Sequence, residues 1–128
     1  PSVIKPGMTD QVGHIIDISA TFRDITGAKY PKEINGKKTK PPMGKSLLPI
    51  FEGKKREPHK ELYWHFGRAN AIRQGDLKAV RQGKTPWELY NLKDDPSELN
   101  NLAKTNQAKT KELAKMWESW SKEIKSRP

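Results

Sequence analysis

Hydrophobic positions between residues 61 and 92 fall into four short runs that are rich in aromatic and β-branched side chains. The runs read ELYWHF, NAIRQ, LKAVR and WELYNL, and turns containing Gly67, Gly75 and Gly83 separate them. Runs of this length between Gly- and Asp-containing turns are typical of strands joined by tight connections. The pattern therefore predicts an antiparallel meander of four strands.

A longer period governs the residues from about Asn106 to Ile124. Apolar side chains recur there every three or four residues, at Leu113, Met116, Trp117, Trp120 and Ile124. This spacing places them on one face of a helix. The sequence predicts that this helix covers the sheet. The alternative is a face that binds a peptide or a membrane, and the glutamates among the lysines disfavour a membrane.

A shorter helix is predicted from about Asp17. Ile18, Phe22 and Ile25 share one face, and Gly27 follows as a helix terminator. The carboxylate of Asp17 is expected to cap the first turn. So short a helix with one apolar stripe needs a partner surface.

A second acidic pattern typical of a helix N-terminus follows the last predicted strand. Asp95, Pro96 and Glu98 have the spacing of a capping box with proline at the first helical position. The sequence predicts a helical turn here that reverses the chain out of the sheet. Asp94 and Asp95 also resemble a divalent-cation pair, but a carboxylate that caps backbone N–H groups is already committed.

Charge changes this picture in one segment. The chain has 128 residues, 33% hydrophobic content and a formal net charge of +10. Residues 29–60 contain ten Lys or Arg and three Glu. This stretch is either a solvated loop or a surface that attracts nucleic acid or sulfated and phosphorylated molecules. No apolar run reaches the roughly 18 residues that span a bilayer.

Catalytic and metal-binding patterns are few. The chain has no Cys, and its histidines, His14, His59 and His65, show no i, i+4 metal spacing. His14 with Asp17 indicates a hydrogen bond at a helix start. His65 either points into a cleft or is a satisfied structural histidine. The residues alone supply no recognisable catalytic constellation.

The order of motifs in residues 61–103 resembles the C-terminal part of sulfatases of the arylsulfatase-like branch. These residues read ELYWHFGRANAIRQGDLKAVRQGKTPWELYNLKDDPSELNNLA. Upstream, VIKPGMTDQVGHIIDISATFRDITGAKYP and MGKSLLPIFEG are similar to the family's preceding segments, in the same order. Departures from the family's usual residues occur at Ala20, Met43, Leu77 and Asn91; they alter caps and packing and leave the identification intact.

The resemblance implies an α+β fold, with a small four-stranded antiparallel sheet packed against a long C-terminal helix. A tail segment of the sulfatase α/β domain precedes it. Residues 1–30 would form the end of that large domain, as a loop plus a short helix. Residues 31–60 would form a basic connector, and residues 61–128 the sheet-plus-helix subdomain.

The resemblance also implies chemistry for a longer parent enzyme. Sulfatases hydrolyse sulfate esters with a formylglycine, made from Cys or Ser in a (Cys/Ser)-x-Pro-x-Arg motif, and with a divalent cation, usually calcium. The chain lacks Cys, and no Ser begins the complete motif. We therefore assign no catalytic residue, metal ligand or cofactor to this chain and expect it to be inactive alone.

The expected partners are the missing N-terminal sulfatase domain and a sulfated small molecule or glycan, with neither nucleic acid nor membrane. No signal segment is visible here, and the resemblance implies a periplasmic or secreted parent. His65, Arg68 and Arg73 are the candidate substrate contacts, as part of a cleft rim, since arginine suits paired acceptor oxygens. The alternative function is a basic binding module for nucleic acid or an anionic polysaccharide.

Overall fold

The computed structural model describes residues 7–125, and the chain divides into an N-terminal unit, residues 1–59, and a C-terminal unit, residues 60–128. The N-terminal unit contains α1 (Ile16–Thr26), β1 (Glu33–Ile34), β2 (Lys37–Lys38) and α2 (Leu48–Phe51). The C-terminal unit contains β3 (Leu62–Phe66), β4 (Ala69–Gln74), β5 (Leu77–Gln82), β6 (Glu88–Asn91) and α3 (Gln107–Lys125). Within residues 7–125, no helix has the length and apolar character needed to cross a membrane.

The predicted meander is confirmed. Four strands form one antiparallel sheet in the order β3-β4-β5-β6, so each strand pairs with its neighbour in sequence. The turns at Gly67, Gly75 and Gly83 have positive φ angles between 56° and 60°, a conformation that glycine adopts without a steric penalty. The α+β fold class expected from the sequence is therefore observed.

The apolar core lies between the sheet and α3. Alternation along the strands places Ile72, Ala79 and Leu89 side by side on one face, and Leu113 and Trp117 of α3 cover them. The indole N–H of Trp117 also donates to the carbonyl oxygen of Trp64 at 3.0 Å. A further hydrogen bond runs from Nζ of Lys109 on α3 to Oε1 of Gln74 on β4 at 2.6 Å. Apolar burial and these two hydrogen bonds thus fix the helix to the sheet.

In the N-terminal unit, α1 ends at Gly27 as predicted, with φ of 70°. The capping role of Asp17 is wrong, because the helix begins at Ile16, the cap residue is Ile15 and no side chain caps it. Asp17 lies inside the first turn, where its carboxylate accepts the backbone N–H of His14 at 2.9 Å. The predicted hydrogen bond at the helix start is therefore real, although its geometry differs from a cap.

The helical turn predicted after Asp95 is also wrong. The next helix begins at Gln107, and residues 92–106 form turns and irregular structure. Asp95 still satisfies backbone donors, because its two carboxylate oxygens accept the N–H groups of Leu99 and Asn100 at 3.1 and 2.8 Å. Glu98 has a positive φ of 56°, which interrupts helical geometry.

Candidate functional site

Two of the predicted substrate contacts lie at the β3–β4 turn. His65 is near the end of β3, and its Nδ1–H donates a 2.8 Å hydrogen bond to Oδ1 of Asn70 on β4. Its ring lies 5.8 Å from that of Trp117, on the face of the sheet that α3 covers. Both features fit a structural histidine, although the residue is exposed to solvent.

Arg68 follows in the turn itself. Its guanidinium lies beside Gly83, where a Cβ atom would come within 3.0 Å of Nη2. The backbone of the same two residues is joined, since the N–H of Gly83 donates to the carbonyl oxygen of Arg68 at 2.7 Å. Gly83 therefore leaves room for an exposed arginine at this end of the sheet.

The structure does not bring Arg73 to the same place. Arg73 pairs with Leu62 and Lys78 in the sheet register, four residues along β4 from Ala69. That separation is about 13 Å at the rise of a strand, and the parity of the position turns Arg73 to the opposite face from His65. Its Nε donates to the carbonyl oxygen of Gly75 at 2.8 Å. Only His65 and Arg68 share one edge.

Apolar side chains lie together on the sheet face that points away from α3, and we call them the open face: Trp64, Phe66, Ala69, Ala71 and Val80. With polar residues that include Lys78, Gln82 and Glu88, they line a cavity of about 430 Å³. Phe66, the last residue of β3, is 86% exposed. A large exposed apolar side chain beside a concave apolar surface is typical of a surface that contacts another molecule or domain.

Polar groups flank the open face. Tyr90 donates from its hydroxyl to Oε2 of Glu88 at 2.9 Å, and Lys78 pairs with the carboxylate of Glu98. Burial, reinforced by the carboxylate of Glu88, raises the pKa of Tyr90 to about 12. Tyr90 is therefore a neutral hydrogen-bond donor at physiological pH, and it is not available as a phenolate base.

A second polar cluster lies in the N-terminal unit, and we call it the Asp17 cluster: Asp17, Lys45, Arg56 and His59. The carboxylate of Asp17 is completely buried. One oxygen accepts the backbone N–H of Lys45 and faces Nε2 of His59, both at 2.8 Å, while the other lies 2.9 Å from Nη2 of Arg56. The cluster joins segments that the sequence assigned to different parts of the chain.

Groups of the cluster compensate the buried carboxylate of Asp17. Burial by itself would raise the pKa of Asp17, but hydrogen bonds from Lys45, His14, His59 and Arg56 outweigh it, and the pKa lies below its usual value. Burial lowers the pKa of His14, partly opposed by Asp17. The side chains of Arg56 and His59 are 4% and 7% exposed. Complete burial of the carboxylate and its hydrogen bonds to these protein groups indicate a structural role.

The cation-pair alternative for Asp94 and Asp95 finds no support in these contacts. Oδ2 of Asp94 accepts the side-chain amide of Asn91 at 2.6 Å, and Asp95 is committed to backbone donors. Across residues 7–125, no group of three or more His, Cys, Asp and Glu side chains is placed to hold a metal ion. The described residues therefore do not fit the calcium and formylglycine site that the resemblance implies for the parent.

Sequence reasoning missed the Asp17 cluster. Its Arg56 and His59 lie 39 and 42 residues from Asp17, a separation at which no local pattern indicates contact. The only signal was the weak His14–Asp17 pair.

Comparison with known proteins identifies relatives along almost the whole chain. A family model described as N-sulphoglucosamine sulphohydrolase, C-terminal, matches residues 1–126. An N-acetylglucosamine-6-O-sulfatase of Bacteroides thetaiotaomicron is 31% identical over 142 residues, which cover 98% of this chain and 24% of that protein. An ulvan-active sulfatase of Formosa agariphila is 27% identical over 164 residues, covering 95% and 31%.

Solved structures agree with these matches. A protein in complex with its substrate D-glucosamine-2-N,6-O-disulfate superposes with a TM-score of 0.59 at 29% identity, covering 87% of this chain and 24% of that one. A second structure, of Ps i-CgsB with k-i-k-neocarrahexaose, has a TM-score of 0.59 at 27% identity, covering 82% and 23%. The chain spans about a quarter of the length of most of these relatives. The resemblance read from the motifs is confirmed, and the chain belongs to the N-sulphoglucosamine sulphohydrolase C-terminal family, a C-terminal region of sulfatases.

Proposed function

We propose that this chain is the C-terminal part of a sulfuric ester hydrolase and that it serves there as a structural subdomain and as part of the rim of the substrate cleft. The observation that carries the proposal is the family match over residues 1–126, combined with a chain about one quarter as long as its sulfatase relatives. The sulfated substrate named for one structural relative supports a sulfated small molecule or glycan as the parent's substrate.

The reactive groups are proposed to lie in the parent's N-terminal domain. Hydrolysis of a sulfate ester needs a nucleophile at sulfur and cations that neutralise the charge on the sulfate oxygens. In the family, formylglycine and calcium would supply these functions. The chain contains no Cys and no complete Ser-x-Pro-x-Arg motif, so we route no chemical step through its own residues.

The rim role rests on His65 and Arg68. His65 lies near the end of β3 and Arg68 in the β3–β4 turn, and both are exposed. An arginine at such a position can donate two parallel hydrogen bonds to a sulfate or carboxylate of the substrate, and a histidine can donate or accept one. Arg73 stays a predicted contact, but it lies at the far end of β4, so its participation requires a substrate that extends along the sheet.

The structural role rests on exposed apolar surface in each unit. Phe66 on the open face is 86% exposed, while Phe22 and Ile25 on α1 are 63% and 57% exposed. Burying such side chains against the rest of the parent would stabilise it by about 1.5–3 kcal/mol each. We propose that these surfaces face the missing N-terminal domain. By the same resemblance, we place the parent in the periplasm or outside the cell.

One observation favours the alternative function, a basic binding module. The lysines at positions 29, 32, 37, 38 and 40 surround the β1–β2 hairpin, and within residues 7–125 none of them forms an ion pair. Retention on heparin or DNA that persists in moderate salt would support this function. Weak retention that disappears when salt is added would reflect generic charge.

The sulfatase proposal is tested by two assays. The 128-residue chain, incubated with an aryl sulfate and calcium, should show no turnover above buffer. The full-length parent should hydrolyse the same ester. In the parent, Arg68→Ala and His65→Ala should raise KM about tenfold or more with a smaller change in kcat, whereas the matched surface variants Lys84→Ala and Lys93→Ala should change neither. Turnover by the chain alone, or an inactive parent, would contradict the proposal.

A further inference from the structure

A groove of about 370 Å³ lies where the segment before β6 passes the beginning of α3. The side chains of Pro86 and Trp87 line one side, and α3 and the residues before it line the other. The volume falls at the lower end of the range for small-molecule sites, about 300–1,000 Å³. It is separate from the β3–β4 turn that carries His65 and Arg68.

The charged side chains that line the groove are all basic. Lys104, Gln107, Thr110 and Lys111 supply its polar groups, and no Asp or Glu lines the groove. Neither lysine takes part in an ion pair within residues 7–125. Two unpaired ammonium groups beside a largely apolar concave surface favour a ligand that is anionic.

The indole of Trp87 restricts the class of ligand further. The guanidinium of Arg81 lies 4.7 Å from the centre of the Trp87 ring, and Arg81 is not among the groove residues. The indole of Trp87 also lies 5.8 Å from the ring of Trp117 in the core, so only part of it lines the groove. A flat ring with C–H groups on its face, such as a pyranose, packs on such an indole surface. A bare inorganic anion would leave the indole unused, and an apolar peptide would leave both lysines unused.

We propose that this groove binds a sulfated sugar residue, with the sugar ring against Trp87 and the sulfate oxygens at Lys104 and Lys111. The site would hold one sugar residue of the parent's substrate. The choice of sulfate among anionic groups rests on the proposed function, whereas the shape and charge of the groove do not.

The test is a titration of the 128-residue chain with D-glucosamine-2-N,6-O-disulfate, followed by the NMR signals of the four tryptophan indole N–H groups. Trp87→Phe assigns the relevant signal. We expect the Trp87 signal to shift saturably, and we expect no shift with uncharged N-acetyl-D-glucosamine. The lysine double variant Lys104→Ala/Lys111→Ala should weaken binding at least tenfold.

A matched control removes the same charge elsewhere on the C-terminal unit. Lys115 and Lys122 are exposed residues of α3 that do not line the groove. The affinity of their double alanine variant should lie within twofold of that of the unmodified 128-residue chain. Equal losses in both double variants would overturn the proposal, as would an unshifted Trp87 signal alongside shifts in residues 29–40. Circular dichroism confirms that each variant is folded. The titration involves no turnover, so an inactive full-length enzyme would refute the sulfatase proposal alone, and absent binding would refute the groove alone.

Discussion

The two units of the chain bury different kinds of group. In the C-terminal unit, the fully buried side chains Ile72, Leu89 and Leu113 are aliphatic. In the N-terminal unit, the largest described side chain that is fully buried is the carboxylate of Asp17, while Phe22 on the same helix is 63% exposed. One unit is held by apolar volume, and the other by a charged cluster whose members must stay paired.

This difference determines what each unit tolerates. An apolar core is sensitive to lost volume and nearly insensitive to mild changes in pH. A buried ion pair responds in the opposite way, because removing one partner leaves the other charge without compensation. The tryptophans help to separate the two responses, since all four lie within residues 60–128 and report only on the C-terminal unit.

Replacing Trp117 should produce the largest effect. Trp117→Ala removes a buried indole that contacts Trp87 and Trp120 and that donates to the backbone of Trp64. We expect the free energy of unfolding of the C-terminal unit to fall by about 3–5 kcal/mol. Urea denaturation followed by tryptophan fluorescence measures it. The exposed control Lys115→Ala should be unchanged, and a loss below about 1 kcal/mol for Trp117→Ala would contradict the apolar account.

Neutralising Asp17 should destabilise the N-terminal unit by about 3 kcal/mol. Asp17→Asn keeps the shape of the side chain but leaves Arg56, which is 4% exposed, without its counter-ion. Hydrogen exchange of residues 14–59 measures the change. The double variant Asp17→Asn/Arg56→Met should recover part of the loss, and Asp24→Asn, on the exposed side of the same helix, should be neutral. A loss equal to that of Asp24→Asn would show that the cluster contributes little.

A methyl group at Gly44 tests how closely the backbone packs around the cluster. A Cβ there would lie 2.0 Å from the carbonyl oxygen of Ile16, so the backbone must shift. Gly44→Ala should destabilise the N-terminal unit by about 1–3 kcal/mol. Gly13→Ala is the matched control, because its Cβ would lie 3.5 Å from Leu47 in ordinary contact. Equal effects of both variants in hydrogen exchange would refute the close approach.

Changes in pH should destabilise the two units in different pH ranges, with the smallest expected change in the free energy of unfolding. The pKa values of Asp17 and His14 are lowered in the fold. The contribution of His14 is therefore present above pH 6.5 and is lost as the pH falls below that value, whereas the contribution of Asp17 is present above pH 3.8 and is lost below it. The pKa of Tyr90 is raised to about 12, so its stabilisation is present below pH 10 and is lost between 10 and 12. Each group changes stability by at most about 1.4 kcal/mol per pH unit.

NMR signals of residues 14–59 should therefore weaken first in acid, and tryptophan fluorescence should change first in alkali. Tyr90→Phe should reduce the alkaline response, and His14→Gln should reduce the acid response near neutral pH. The reverse order of loss, with the C-terminal unit failing first in acid, would contradict the assignment of these groups.

The sheet and its helix could be predicted from the sequence because their signals are local. Each strand pairs with the next, the turns contain glycine, and the spacing of Leu113 and Trp117 gives the face of α3 directly. The error at Asp95 has a physical reason. Its carboxylate satisfies backbone donors as a cap does, but the positive φ of Glu98 prevents the helix that a cap usually begins.

The rest could not be predicted because it depends on distant residues. Nothing near Arg56 or His59 in the sequence indicates a buried carboxylate on α1. Likewise, the sequence gives no reason to rank His65, Arg68 and Arg73 differently as substrate contacts. Only the strand register shows that Arg73 lies on the other face of the sheet. The Trp87 groove combines a residue before β6 with lysines some 17 and 24 positions later.

The sequence distance between contacting residues also sets the order of folding. Three hairpins of the meander close loops of only a few residues, and such local contacts form quickly. The Asp17 cluster must instead bring together residues 39 and 42 positions apart, which costs more loop-closure entropy before any contact is made. We therefore expect the meander to assemble first after dilution from denaturant, with the segment from His14 to His59 reaching its native amide protection in a slower phase.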